Sequence, residues 1–198
     1  NGEVVGFMLQ QEFWGEQWPL PCSYFYVQRF EFYNDGRFRV AAGNIGRGCG
    51  TNGTYRPVLR LALAAENSFA SYADSAWENW STEGWQLTTD SKPTSEGYQY
   101  RFEDSTGAGF YVEPDRGQFG DSGHGDNAFI YVTLDHPDRD EGDSDMITIG
   151  PCCNLNYEQG PERFIDDESI ENANLILWYV PQVENDGAPG EQYCWAES

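Results

Sequence analysis

Apolar and polar positions alternate over much of this chain, with the period of β-strands. In the clearest case, Tyr24, Tyr26, Phe30 and Phe32 fall on one face, while Phe25, Val27 and Tyr33 share the other with Arg29 and Glu31. This run, residues 24–34, leads into Asn34-Asp35-Gly36, a hairpin signal. A second strand is expected over 37–42 and a third over 55–63, restricted near its start by Pro57. Further strands are expected at 85–89, 97–103, 109–113, 128–134, 146–149 and 174–180, nearly all separated by turn residues. One stretch breaks the period. Over 65–80, Phe69, Tyr72, Ala73, Ala76, Trp77 and Trp80 follow helical spacing, which predicts either a helix or a loop packed by aromatics. No repeat or linker is visible. The pattern predicts an all-β, antiparallel β-sandwich with few or no helices, built as a single domain over 1–198.

Composition narrows the partners. A hydrophobic content of 39% and an aromatic content of 16% are enough to form a core and set the chain apart from disordered ones. A net charge of −22 disfavours nucleic acid and anionic membrane surfaces, which both need basic patches. No apolar run reaches the roughly 18 residues of a membrane span. The segment from Asn1 has no basic region followed by an apolar one, so a secreted form is expected to have lost its signal peptide already. The cysteines Cys22, Cys49, Cys152, Cys153 and Cys194 form no CxxC pair. Their spacing suggests two disulfides and one leftover thiol, with adjacent Cys152 and Cys153 reaching different partners. Asn52-Gly53-Thr54 and Asn79-Trp80-Ser81 are glycosylation sequons. Together these features predict an extracellular, cell-surface or periplasmic location.

Three segments resemble the catalytic domain of copper amine oxidases. The first is Tyr24 with its aromatic strand and Asp35-Gly36 turn, similar to the strand whose tyrosine becomes topaquinone. The second is Phe129-Ile130-Tyr131-Val132-Thr133-Leu134-Asp135-His136-Pro137-Asp138. The third, Ser169-Ile170-Glu171-Asn172-Ala173-Asn174-Leu175-Ile176-Leu177-Trp178-Tyr179-Val180, resembles the family's S-I-E-N-x-D-I-V-x-W-Y strand. The resemblance implies the family's supersandwich fold. It does not carry over the chemistry. Ser23 and Phe25 flank Tyr24 where the family has Asn and an acidic residue. Gly53-Thr54-Tyr55 stands in the place of the His-x-His copper pair, and no histidine follows Val180 in 181–186. Cu(II) in such a site needs imidazoles. The resemblance therefore makes Tyr24 a vestigial cofactor position, with no catalytic residue retained.

Other chemistry is suggested by composition and spacing. Asp135, Asp138, Asp140, Glu141, Asp143 and Asp145 place six carboxylates in eleven residues, a density suited to calcium. His124 and His136 are the only histidines, and a rearranged metal site would use both with carboxylates or cysteines. Trp77, Trp80 and Trp85 offer faces for stacking on sugar rings. No G-x-S-x-G nucleophile motif is present. The leading expectation is a non-catalytic extracytoplasmic β-sandwich with a structural or binding role: a surface, matrix or filament subunit, or an accessory chain. Its partners would be proteins or further copies of itself. The alternatives are a metal-dependent oxidoreductase and a calcium-stabilised carbohydrate-binding module. No cofactor is established by the sequence, and calcium is the one candidate.

Overall fold

A computed structural model describes residues 2–20, 25–45, 54–114, 127–142, 160–184 and 193–197. Among them are strands β1 (Gly6–Trp14), β2 (Phe25–Tyr33), β3 (Phe38–Ile45), β4 (Thr54–Tyr55), β5 (Leu59–Ala73), β6 (Ala76–Asn79) and β7 (Gly84–Leu87). β8 (Tyr100–Glu103), β9 (Gly109–Val112), β10 (Phe129–Leu134), β11 (Ala173–Val180), β12 (Val183–Glu184) and β13 (Tyr193–Glu197) complete the set. Every strand pair is antiparallel, and the helical content of the described residues is two short 3₁₀ turns, Thr88–Asp90 and Pro161–Phe164. The all-β expectation holds. No helix among the described residues is long and apolar enough to cross a membrane. The expected strand at 146–149 lies outside the described residues.

The chain groups into two compact units. One comprises Asn1–Pro57, Asp115–Asp126 and Pro181–Ser198; the other comprises Val58–Pro114 and Asn127–Val180.

In the first unit, β1-β2-β3-β13 form one sheet, and β4 pairs with β12. The β2–β3 hairpin turns where Asn34-Asp35-Gly36 predicts it. Gly36 takes φ 91°, a left-handed value that costs glycine little, and the Tyr33 N–H donates to the Arg37 carbonyl at 2.9 Å. Phe25, Val27 and Ala41 are buried together with Trp18 against them, and Trp14 stacks on Phe25 at 3.9 Å. The face bearing Tyr26 and Phe32, richer in aromatics, is the more open one. β1 is an edge strand that the alternation did not predict. Its side chains from Phe7 to Trp14 are exposed on both faces, so selection for burial left no period in the sequence.

The second unit holds a sheet of order β7-β10-β11-β5-β8-β9, with β6 also pairing β5. β10 and β11 are the apolar runs expected at 128–134 and 174–180, and they are buried along almost their whole length. That is the signature of strands covered on both faces. Phe129, Tyr131, Ile176, Trp178 and Val180 pack on one face, closed by Val58, Leu87, Phe164 and Ile165.

Two expectations are corrected here. The strand expected over 55–63 is split by Pro57, leaving β4 at Thr54–Tyr55 and β5 from Leu59. The 65–80 stretch is neither helix nor loop. β5 continues to Ala73, turns at Asp74 (φ 47°) and Ser75 (φ 70°), and returns as β6. Two successive positive φ values match the hairpin turn that follows strand twist. The aromatics recur at helical spacing because a hairpin tip interrupts the count. Polar Asn67 and Ser71 are also buried beside Phe69, which hides the alternation.

β8 and β9 approach closely at Gly109. A Cβ there would lie 1.9 Å from the Phe102 carbonyl oxygen and 2.8 Å from Glu103 Cα. Both are backbone atoms, which cannot move without breaking the ladder. Gly109→Ala is expected to lower stability by about 2 kcal/mol. A urea midpoint equal to that of the unchanged protein would refute the β8–β9 register.

Candidate functional site

The sheet register of the second unit gathers distant aromatics on one face. Tyr72 lies opposite Trp77, Ala70 opposite Arg101, and Arg101 opposite Tyr111. Tyr72 and Ala70 are two residues apart on β5, so all of these share a face. Tyr98 joins from the turn before β8. There Gly97, at φ 103°, closes a turn through its N–H to the Thr94 carbonyl, and Thr94 Oγ1 accepts the Tyr98 N–H. Tyr98 then stacks on Tyr111 at 4.8 Å and 18°. Trp77 lies 5.5 Å from Tyr111 and 5.2 Å from Tyr72. The Arg101 guanidinium sits 5.2 Å over the Trp77 ring, and its Nε lies 3.2 Å from a Glu103 carboxylate oxygen. The result is a stepped shelf of four rings, with Tyr72 edge-on to Trp77 at 62° and Tyr111 tilted from it by 38°, and a charged donor and acceptor beside it. Tyr111 is half-exposed at 50%, and Trp77, Tyr72 and Tyr98 are partly so.

A polar cluster lies elsewhere in the same unit, where β10 ends. Glu83, 5% exposed, is its anchor. Its Oε1 accepts the Leu134 N–H at 2.8 Å and its Oε2 accepts the Asp166 N–H at 2.6 Å. Its own N–H donates to the Glu168 carbonyl at 3.0 Å, and a bridge between Thr82 and Ser169 extends this pairing. His136 Nε2 lies 2.9 Å from Glu168 Oε2. One ligand atom from each of Glu83, His136 and Glu168 lies within 4.8 Å of the others. Arg139 Nη1 reaches Asp166 at 3.0 Å and Glu141 at 3.5 Å. Burial pushes the Glu141 carboxyl up, and His136 and Arg139 pull it part of the way back. The Glu141 carbonyl accepts from Arg60 Nε at 3.2 Å, and that guanidinium also lies over Trp178.

The residues singled out in the sequence are dispersed. Of the three tryptophans, Trp77 alone joins the shelf. Trp80 packs edge-on against buried Phe69 at 4.9 Å, with its N–H on Ser71 Oγ. Trp85 is half-exposed beside Phe129 and Tyr131. Of the proposed calcium ligands, Asp135 faces Arg60 at 3.7 Å, Asp138 and Asp140 are exposed, and Glu141 turns inward. Among the described residues, the carboxylate and histidine group that converges is Glu83–His136–Glu168. Asp143, Asp145, His124, Tyr24, Asn52, Cys22, Cys49, Cys152 and Cys153 lie outside the described residues. Cys194 sits on β13, opposite Asn44 in the ladder. Asn79 is exposed at the end of β6. Tyr98, Arg101, Tyr111, Glu83 and Glu168 went unnoticed in the sequence. Only the register and the long-range hydrogen bonds bring them into these sites.

No protein-family model matches this chain, and no curated protein matches it.

Proposed function

We propose that this chain is a non-catalytic binding module that takes carbohydrate on the Tyr72–Trp77–Tyr111–Tyr98 shelf. The single observation behind this reading is that run of rings on one sheet face with Arg101 and Glu103 at its side. The apolar face of a pyranose packs on an exposed aromatic ring. A guanidinium and a carboxylate supply donors and acceptors for its hydroxyls. The rings brace one another, so little side-chain freedom remains to be lost on binding. The sequons at Asn52 and Asn79 and the spaced cysteines support an extracytoplasmic setting. For the amine-oxidase-like segments we propose a shared scaffold without shared chemistry, since the positions matching the copper ligands hold no histidine.

A glycan array followed by calorimetric titration tests the reading. Asn79 lies two residues from Trp77 on the same strand, so the protein should be made without N-glycans. Trp77→Ala and Tyr111→Ala are each expected to weaken binding about tenfold or more, in line with about 1.5 kcal/mol per aromatic contact. Thermal stability should stay near that of the unchanged chain for half-exposed Tyr111→Ala and fall modestly for Trp77→Ala, whose ring is partly buried against Tyr72 and Arg101. An array with no bound glycan, or affinities untouched by either change, would sink the proposal.

A further inference from the structure

The cluster where β10 ends is built from three separate stretches of chain: Glu83 just before β7, His136 just after β10, and Glu168 in the segment leading to β11. We propose that Glu83, His136 and Glu168 bind a first-row divalent cation, with zinc as the test ion. Zinc is held tetrahedrally by nitrogen and oxygen ligands at about 2.0–2.2 Å, which sets ligand atoms about 3.3–3.6 Å apart. The three ligand atoms already lie within 4.8 Å of one another, and the shortest printed separation, His136 to Glu168, is 2.9 Å. Small side-chain rotations close that difference. The oxygens of Glu83 are fixed by the Leu134 and Asp166 N–H groups. A carboxylate oxygen has two lone pairs, so each retains one for a metal. Such outer hydrogen bonds are what orients a ligand before the ion arrives.

A second observation points to a cation independently. Glu141 is only 6% exposed, yet its Oε2 has no hydrogen-bond partner. The charges of His136 and Glu83 both act on the Glu141 carboxyl, and Arg139 links it to Asp166, which puts it within electrostatic reach of the cluster. A buried carboxylate oxygen left unpaired is costly. Counted together, the five carboxylates Glu83, Asp135, Glu141, Asp166 and Glu168 are set against two guanidiniums, Arg60 and Arg139, and one imidazole, His136. A divalent ion offsets that excess. The imidazole decides its class. Calcium and magnesium take oxygen ligands, whereas zinc and its neighbours accept imidazole with carboxylate. The ligands therefore differ from the acidic side chains of 135–145, although His136 comes from the same stretch and Glu141 borders both, and the ion differs as well. A bound ion would also tie together the ends of β7, β10 and the segment before β11.

The test is zinc titration of the chelator-stripped full chain by calorimetry, with melting temperature followed in parallel. One equivalent is expected to bind and raise the melting temperature, with calcium unable to compete. His136→Gln and Glu168→Gln are each expected to weaken zinc at least tenfold. Glu141→Gln should weaken it by a smaller factor, and Glu171→Gln, on the surface nearby, should leave it unchanged. Cobalt substitution guards against cysteine ligation, because thiolate donors add a strong near-ultraviolet charge-transfer band that nitrogen and oxygen donors lack. Metal-free melting curves identify any variant that fails to fold; if one does, the remaining two of the three carry the result. Absence of stoichiometric uptake overturns the proposal. So does zinc affinity unchanged in His136→Gln and Glu168→Gln, or a thiolate band in the cobalt form.

Discussion

Trp178→Ala is expected to cost about 3–5 kcal/mol of folding stability, the usual range for deleting a buried tryptophan. Trp178 is 0% exposed and the largest fully buried side chain among the described residues. It stacks on Phe164 at 5.4 Å and 17°, carries the Arg60 guanidinium over its ring, and donates Nε1–H to Thr133 Oγ1 at 2.9 Å. Alanine would leave a cavity on the β10–β11 face beneath Phe164, strip Arg60 of its ring, and leave a buried hydroxyl short of a donor. Three losses fall on one residue. Trp178→Phe keeps most of the volume and should cost less, about 1–2 kcal/mol for the lost hydrogen bond and shape change. Urea unfolding of both variants measures this directly. A loss below about 1 kcal/mol for the alanine variant would mean that the ring does not fill the core.

The second large effect appears in alkali. Tyr100 is fully buried, and burial pushes its phenol up to about 12, against help from Gln86 and Ser91. In the unfolded chain the same group titrates near 10. Below pH 10 the phenol is neutral in both states, and the stability of the neutral form is fully present. Between 10 and 12 the unfolded state gives up its proton first, so unfolding gains free energy and stability falls as pH rises. About two units of difference corresponds to a loss of about 2–3 kcal/mol once pH passes 12. Urea unfolding at pH 9, 10 and 11 should show the decline. Tyr100→Phe should flatten it while lowering stability at pH 7, because Gln86 Nε2 now donates to the Tyr100 hydroxyl at 3.1 Å and would lose that acceptor. A variant whose pH profile parallels the unchanged protein would place the alkaline loss on another group.

Strands that bury one face or both could be read from the chain. The run from Tyr24 to Tyr33 alternates, and the runs around Tyr131 and Leu177 are continuously apolar because both faces are covered. The same logic fails for Phe7 to Trp14, a strand with no buried side to impose a pattern. It also fails between Asn67 and Ser71, where polar groups take inward positions. The sites were harder to see for a related reason. Trp77 has a local signal in its neighbouring tryptophans, but Tyr111 reaches it only through the pairing of β5 with β6 and β8, and of β8 with β9. Glu83 and Glu168 are 85 positions apart, and nothing within either segment marks a carboxylate that will turn inward. The dense acids after Leu134 drew attention because they are conspicuous. Glu141 is the described one among them that folded inside.

β5 has a consequence for how the second unit comes apart. Its first half pairs with β11 beneath the Trp178 core, and its second half carries β6 and β8 with the aromatic shelf. A single unbroken strand serves both regions across a register shift near Asn174. Amide protons in the second half of β5 cannot then exchange through a separate small opening unless β5 itself tears in the middle. The β5 part of the ring platform should share the slow exchange of the Trp178 core, while β6 and β9, each paired on one side only, exchange sooner.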